Sequence, residues 1–383
     1  MNINYKHNIQ IKKLKDLTTK APKSKYSANS ITLMEQGNIK CFTSGSKFYF
    51  VNKELVNGEY LFINDGGIAD IKYHNGSACY TDHVFALKIN SNLCNGIYLY
   101  NYLLTKLETI NNTMFVGCGL KNIVKEDFLN LDIPLPEKRT QDFIANIFLN
   151  IDEKLEKEGN NITKLKETKL SFLELLFPQN IDIPQLRFRN FTNDWEQRKL
   201  EDYLDVSNKK NIKGLYSKQN VLSVSGEYGI VNQIEFLGRS FAGKSVLNYS
   251  IVNKGDIVYT KSPLNTNPYG IVKTNKNDIG IVSTLYAIYT PKENTNPNFV
   301  QDYFDLHYRL NAYLHPLVHK GAKNDMKISS QNALKGIVTF PSYEEQTAIS
   351  NLFEKLNNLI TLHQRKLDKL KEVKSALLDK LLI

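Results

Sequence analysis

The chain lacks clustered thiolates. Its four cysteines, Cys41, Cys79, Cys94 and Cys118, lie in the first third, and none forms a C-x-x-C pair, the short spacing that structural zinc requires. A disulfide framework is not expected in a chain this large without a secretory leader, and Met1–Lys13 is polar and basic with no apolar centre. No apolar run approaches the length that crosses a bilayer. Together these absences point to a cytoplasmic protein with no membrane role.

Motifs for chemistry are missing as well. There is no P-loop, and Asp65-Gly66-Gly67 lacks the spacing of a G-x-G-x-x-G turn. No H-E-x-x-H occurs; His315 and His319 are four apart, but Pro316 intervenes and no acidic neighbour completes a site. No G-x-S-x-G elbow is present. Asp152-Glu153-Lys154 and Glu167-Thr168-Lys169 contain nuclease letters but sit in helical charge runs, where a solvated face explains them. Asn267-Pro268-Tyr269 approaches the adenine-methyltransferase signature, which holds a flipped base; its second proline is absent, and it reads as a turn. The chain is expected to carry no catalytic, cofactor-binding or metal-binding residues of its own.

What is present is a repeat. Residues 136–178 align without a gap on residues 341–383, with identities that include Pro136/Pro341, Gln141/Gln346, Ile144/Ile349, Phe148/Phe353, Lys164/Lys369, Leu165/Leu370, Lys169/Lys374 and Leu173/Leu378. Both copies have helical patterning, and each follows a stretch rich in strand formers. At 383 residues two domains are expected. A hydrophobic fraction of 42% supports packed cores. The net charge of +10 favours a polyanion, because each Lys or Arg beside a phosphate releases a counterion; charge alone equally fits an ordinary basic protein.

The pattern divides the chain into a globule over 1–135, a helix over 136–178, a linker over 179–194, a second globule over 195–340 and a second helix over 341–383. In the first globule, strands are expected at Phe48–Val51, Glu59–Ile63, Ala69–Tyr73 and His83–Ile89, separated by Asn/Gly turns, with a helix over Tyr98–Lys106. Short echoes tie the globules together. Lys13-Leu14-Lys15-Asp16 matches Lys199-Leu200-Glu201-Asp202, and Gly58-Glu59-Tyr60-Leu61 matches Gly255-Asp256-Ile257-Val258. Phe85-Ala86 matches Tyr286-Ala287, and Gly119-Leu120-Lys121-Asn122 matches Gly321-Ala322-Lys323-Asn324. These echoes need different offsets, so the globules are distant copies with altered loops.

In the first helix Ile144, Ile151, Leu155, Ile162, Leu165 and Phe172 recur at helical spacing, with Gly159-Asn160-Asn161 as a weak point and Pro178 at the end. In the second, Ile349, Leu356, His363, Leu370 and Leu377 take a positions, with Leu352, Phe353, Leu359, Ile360, Leu367, Val373 and Leu381 at d and e. A seam of about five heptads calls for a partner helix. The first helix is the economical choice, giving an antiparallel coiled coil; an internal bundle or a homodimer also fits. At 1.5 Å per residue, about 35 residues reach roughly 50 Å, longer than one turn of B-DNA at about 34 Å.

Basic, aromatic and amide side chains gather in the expected loops. Lys47, Tyr49, Lys72, Tyr73, His74, Lys121 and Asn122 do so in the first globule. Arg239, Lys244, Lys261, Asn265, Asn267, Tyr269, Lys320, Lys323 and Asn324 do so in the second. Lys and Arg anchor phosphates or read guanine, and Asn reads adenine, so these are candidate DNA contacts, set against the fact that loops are polar in any case.

Two phrases carry a family resemblance. Pro184-Gln185-Leu186-Arg187-Phe188, followed by Phe191-Thr192 and Asp194-Trp195-Glu196-Gln197-Arg198-Lys199-Leu200, resembles the opening of a target-recognition domain in specificity subunits of type I restriction–modification systems. Pro341-x-x-x-Glu345-Gln346-x-x-Ile349, leading into a Lys/Leu-rich helix, resembles their conserved helical region; the first copy departs from it with Thr140 in place of Glu, and the first globule lacks the Trp-Glu entry. The resemblance spans essentially the whole chain. It implies an α+β fold with two mixed α/β target-recognition domains, two long helices in an antiparallel coiled coil, and a pseudo-twofold repeat. It further implies a non-catalytic subunit whose two domains each read half of a split site in double-stranded DNA. Two modification subunits would dock on the helices and methylate adenine with S-adenosylmethionine, and two restriction subunits would use ATP and Mg2+. Alternatives are an autonomous adenine methyltransferase and a coiled-coil scaffold without DNA affinity.

Overall fold

The computed structural model describes residues 9–45, 47–178, 183–263, 267–320 and 326–382, without the side chains of 319–320 and 326–327. It divides into two compact units, Met1–Asn160 with His363–Ile383, and Asn161–Leu362.

In the first unit β1 (Gln10–Lys13) passes through the one-turn helix α1 (Leu14–Leu17) into β2 (Thr18–Lys20). Next come α2 (Ala28–Thr32), β3 (Gln36–Phe42), β4 (Phe48–Val51), β5 (Glu59–Asn64), β6 (Ile71–Asn75), β7 (Ala78–Tyr80) and β8 (Val84–Ile89). Helices α3 (Gly96–Thr105) and α4 (Leu107–Thr113), the short strands β9 (Phe115–Val116) and β10 (Asn122–Ile123), α5 (Lys125–Leu129) and β11 (Asp132–Leu135) precede the long helix α6 (Lys138–Leu175). The main sheet is antiparallel, in the order β2-β8-β5-β6. Its central strands carry continuous apolar runs, Tyr60–Ile63 in β5 and Val84–Leu87 in β8, because both faces are covered there. Side chains alternate across a strand, so Leu61 and Ile63 of β5 join a core with Leu99, Leu103, Phe128, Ile144 and Phe148. Tyr60 and Phe62 join Phe42, Tyr80 and Val84 on the other face. There β3 pairs antiparallel with β4 and parallel with β7. Strands β1 and β11 pair from Gln10↔Leu135 to Lys13↔Asp132.

The second unit repeats this plan. It contains β12 (Glu196–Lys199), β13 (Leu204–Val206), β14 (Leu222–Ser225), β15 (Gly229–Asn232), α7 (Gln233–Leu237), β16 (Ser250–Val252), β17 (Ile257–Tyr259), β18 (Val272–Thr274), β19 (Gly280–Val282) and β20 (Ala287–Pro291). After these come α8 (Pro297–Phe304), α9 (His307–Leu314), β21 (His319–Lys320), β22 (Met326–Lys327), β23 (Ile337–Phe340) and the long helix α10 (Tyr343–Leu381). The main sheet is β13-β20-β17-β18, strand for strand the order of the first unit, and β12–β23 corresponds to β1–β11. Ile257 and Tyr259 face a core with Phe299 and Phe353, while Val258 faces Leu222, Ile230 and Val252.

The echoed phrases fall at matching places. Glu59 and Asp256 stand at the entrances of β5 and β17, Phe85 lies in β8 and Tyr286 just before β20, and the Lys-Leu-x-Asp phrases begin at the last residues of β1 and β12. The last echo includes residues 321–324, outside the described set. Four strands expected from sequence occur within two residues of their expected starts and ends, as β4, β5, β6 and β8, and the expected helix is α3. Strand β3 was not anticipated; its alternation is obscured because Ile39 is only partly buried and a register shift falls between Gln36 and Ile39.

Helix α6 continues through Gly159-Asn160-Asn161 without a break and ends at Leu175, before Pro178. Gly and Asn are weak helix formers, but packing at Ile162 on one side and a polar contact at Glu158 on the other hold the turn. Both long helices carry a run of covered positions that alternates by four and three residues. In α6 these are Ile144, Phe148, Ile151, Leu155, Glu158, Ile162, Leu165, Lys169 and Phe172. In α10 they are Ile349, Phe353, Leu356, Ile360, His363, Leu367, Leu370, Lys374 and Leu377. Every member of one set lies 205 residues from a member of the other. Leu359 and Val373, expected in the seam, face outward at 44% and 42% exposure; His363 is covered as expected, and Lys374 takes the covered place beside Val373.

Within the first unit, Lys374 Nζ lies 2.5 Å from Asp152 Oδ1 and His363 Nδ1 hydrogen-bonds the Glu158 carboxylate. Residue numbers rise along α6 as they fall along α10, so these segments run antiparallel. Glu158 and His363 occupy corresponding positions of the repeat, so like meets like at this contact. The hydrogen bond from His363 holds the Glu158 carboxyl below its ordinary range. Within the second unit, Leu165 and Phe172 pack on the core containing Ile349, Phe353 and Leu356.

Candidate nucleic-acid interface

The phrases repeated most closely in sequence prove to be framework. Gln141 is buried: its Oε1 accepts from Asn95 N at 2.9 Å and its Nε2 donates to Pro136 O at 2.8 Å. Gln346 does the same with Asn296 N at 2.9 Å and Pro341 O at 3.0 Å. Asn95 and Asn296 are the N-caps of α3 and α8, each accepting from two backbone amides of its helix. Asp142 and Thr347, the next residues of each copy, bond the same two asparagine side chains. Each glutamine therefore ties the proline turn to the cap of the neighbouring helix.

Arg187 holds Glu345 with two hydrogen bonds, Nε to Oε1 at 2.8 Å and a terminal nitrogen to Oε2 at 2.7 Å. Glu345 is 1% exposed, and this fork-to-fork geometry is what a buried carboxylate needs. The first copy has Thr140 at this position and no matching arginine phrase in the sequence preceding it. Trp195 packs edge-on to Phe177 and Phe299.

The candidate contact residues separate into two groups. On β6, Lys72 is engaged by Asp70 at 2.6 Å and by Thr43 O at 3.1 Å. Tyr73 donates to Glu59 at 2.8 Å, and burial pushes its phenol up. His74 meets Ser77 O at 3.2 Å and Phe42 face-tilted, and burial lowers its pKa. These three are tied into the sheet, although sequence placed them beside turns. Tyr269 is half-buried, its carbonyl accepts from the Tyr259 hydroxyl at 2.8 Å, and its ring lies against His315. Pro268-Tyr269 is a turn, closed by Gly270 N donating to Asn267 O at 2.9 Å.

The second group faces solvent: Lys47 and Tyr49 at β4, Lys121 and Asn122 at β10, and Arg239 and Lys244 after α7. Lys261 follows β17 at φ 47, a conformation unusual for a non-glycine residue. Burial lowers its pKa, and the neighbouring Lys210 ammonium lowers it further. The Lys210 ammonium also donates to Ser250 Oγ at 2.8 Å. Lys210 was missed from sequence; the Lys209-Lys210 pair was its signal. Asn265, Lys323 and Asn324 lie outside the described residues, as does the side chain of Lys320 in β21. Among the described residues no cluster of His, Cys, Asp and Glu could hold a metal ion, and no helix is long and apolar enough to cross a membrane.

Two copies of one helix-backed sheet, each carrying its own exposed basic segments, define a duplicated recognition scaffold of α+β class. The family described as "Type I restriction modification DNA specificity domain" matches twice, at residues 6–167 and 192–372, and the chain belongs to that family. It is 22% identical over 358 residues to the type I restriction enzyme MjaVIII specificity subunit of Methanocaldococcus jannaschii, an alignment covering 88% of this chain and 82% of that one. Its fold is similar to that of a crystal structure of a type I restriction–modification S subunit from M. genitalium, with a TM-score of 0.69 and 16% identity over 100% of this chain and 98% of the other.

Proposed function

We propose that this chain is the DNA sequence-recognition subunit of a type I restriction–modification complex, with each unit reading one half of a bipartite duplex site. Residues 1–135 and 195–340 are then target-recognition domains, 179–194 a linker, and 136–178 and 341–383 conserved helical regions. The paired helices set the spacer and dock two modification subunits, which methylate adenine with S-adenosylmethionine. Two restriction subunits contribute translocation and cleavage with ATP and Mg2+. The chain itself supplies no catalysis, and the complex works in the cytoplasm.

One observation carries this reading: both units share a sheet order, β2-β8-β5-β6 and β13-β20-β17-β18, yet differ in the segments between those strands. A common framework with divergent exposed segments suits two readers of different half-sites. The Asn267-Pro268-Tyr269 turn, with the Tyr269 carbonyl engaged by Tyr259, supports assigning methyl transfer to a partner. Methylation sequencing of cells that express the chain with its modification subunit is expected to show a split adenine-containing motif. A continuous motif, or methyl transfer by the purified chain alone, would contradict the reading.

A further inference from the structure

In each unit one segment leaves the main sheet after its first strand and returns at its central strand. In the first unit it is residues 21–58, between β2 and β5; in the second it is residues 207–256, between β13 and β17. The two occupy the same topological place and share one feature, an antiparallel hairpin, β3–β4 or β14–β15, whose first strand runs parallel to β7 or is bridged in parallel to β19, but they differ in what surrounds it. The first carries α2, β3 and the edge strand β4; the second carries the β14–β15 hairpin, α7 and β16. Residues 21–58 hold five lysines against two glutamates, and residues 207–256 hold seven basic against three acidic residues. These excesses of three and four supply seven of the chain's ten net positive charges.

Both segments also present aromatic rings to water. On β4, Phe48 and Phe50 are 45% and 53% exposed, and Lys40 Nζ sits 3.9 Å from the Phe48 ring centroid. In the second segment Phe241 is 59% exposed, with the Arg239 guanidinium 4.6 Å from its centroid. Exposed rings gathered in one place mark a surface that a partner covers. The surrounding positive charge selects a polyanion over an apolar protein patch. Rings beside cations suit duplex DNA, since aromatic side chains can meet base edges in a groove or wedge between base steps while lysines and arginines hold phosphates.

We propose that these two segments are the DNA-contacting elements, with Phe48 and Phe50 in the first unit and Arg239 and Phe241 in the second set against the bases of their half-sites. This rests on the half-site reading above. It moves the contact surface away from Lys72, Tyr73 and His74, whose polar groups are engaged within the first unit.

The test uses the full chain assembled with its modification subunits, as wild type, as the double variant Phe48→Ala/Phe50→Ala, and as Arg239→Ala/Phe241→Ala. The probe is a set of short duplexes carrying the site that the wild-type complex methylates in cells, with each half altered in turn. Assembly by size-exclusion chromatography and melting temperature are expected to be unchanged, because the altered side chains are exposed. Each double variant is expected to lose about tenfold or more in affinity for the intact site. The loss should disappear on duplexes in which one particular half is already altered, a different half for each variant. If the wild-type complex methylates no split site, the half-site reading itself fails. If it does and the variants bind like wild type, only this inference fails. Variants that no longer assemble would make the rings a subunit-docking surface and overturn it too.

Discussion

Gln141 and Gln346 stand at corresponding positions of the repeat and make corresponding bonds, each joining a proline turn to a helix N-cap. Replacing Gln346 with Ala orphans the Asn296 amide and the carbonyls of Pro341 and Asn294 in a buried place. The expected loss is about 3 kcal/mol in urea unfolding, since each buried polar group left unpaired costs roughly 1–3 kcal/mol. Asp302 is a second test at this scale. Burial, then the neighbouring Asp305 carboxylate, pushes its carboxyl up to about 8, from 3.8. Burial also raises Asp305, but Lys273 and Lys169, each 2.7 Å away, outweigh it and hold that carboxyl at about 2. The folded state therefore keeps a proton on Asp302 that the unfolded chain releases. That contribution is complete below about pH 4 and is lost as pH rises to about 8. Unfolding measured across this range is expected to show Asp302→Asn gaining stability relative to wild type as pH increases. Sequence could not have singled out Asp302, because its burial comes from the packing of α8 on the sheet.

At the scale of elements, α6 and α10 obey a single heptad rule although polar residues interrupt both. The repeat made the pairing of Glu158 with His363 legible after the fact, since the two lie 205 residues apart. It did not reveal that Lys169 and Lys374 occupy covered positions and bond Asp305 and Asp152. A polar letter in a heptad looks like an interruption until its partner, distant in sequence, is seen. Gly159 was expected to weaken the helix, yet α6 is continuous there and a Cβ at this position would meet no atom within 4 Å. Gly159→Ala is therefore expected to raise stability by about 0.5–1 kcal/mol, the ordinary difference between these residues inside a helix. A thermal melt followed by circular dichroism checks this, and a loss of stability would mean that the local backbone needs glycine.

For the whole molecule, the proposed spacer role makes a quantitative prediction. Removing one heptad from α6 together with its matching heptad from α10 keeps the seam in register and shortens the pair by about 10 Å. Methylation sequencing of cells expressing this variant with its modification subunit is expected to show both half-sites unchanged and a spacer shorter by about three base pairs. Altered half-sites would show that the helices are not the spacer. The duplicated plan was legible here because matching phrases recur in order. The excursions at 21–58 and 207–256 were not, because they share a place in the topology and no sequence.

Sequence alone determined the duplication, the two long helices and the apolar runs of the central strands, because these depend on local periodicity and on composition within one segment. Only the tertiary structure decided which repeated residues are buried ties, as with Gln141, Gln346 and Glu345, and which basic residues are free to meet a partner. Lys72 and Lys47 look alike as letters beside turns. One is held by Asp70, Thr43 and Asn64, and the other stands in solvent. That difference depends on groups brought together by sheet pairing between segments far apart in the chain, and periodicity carries no information about it.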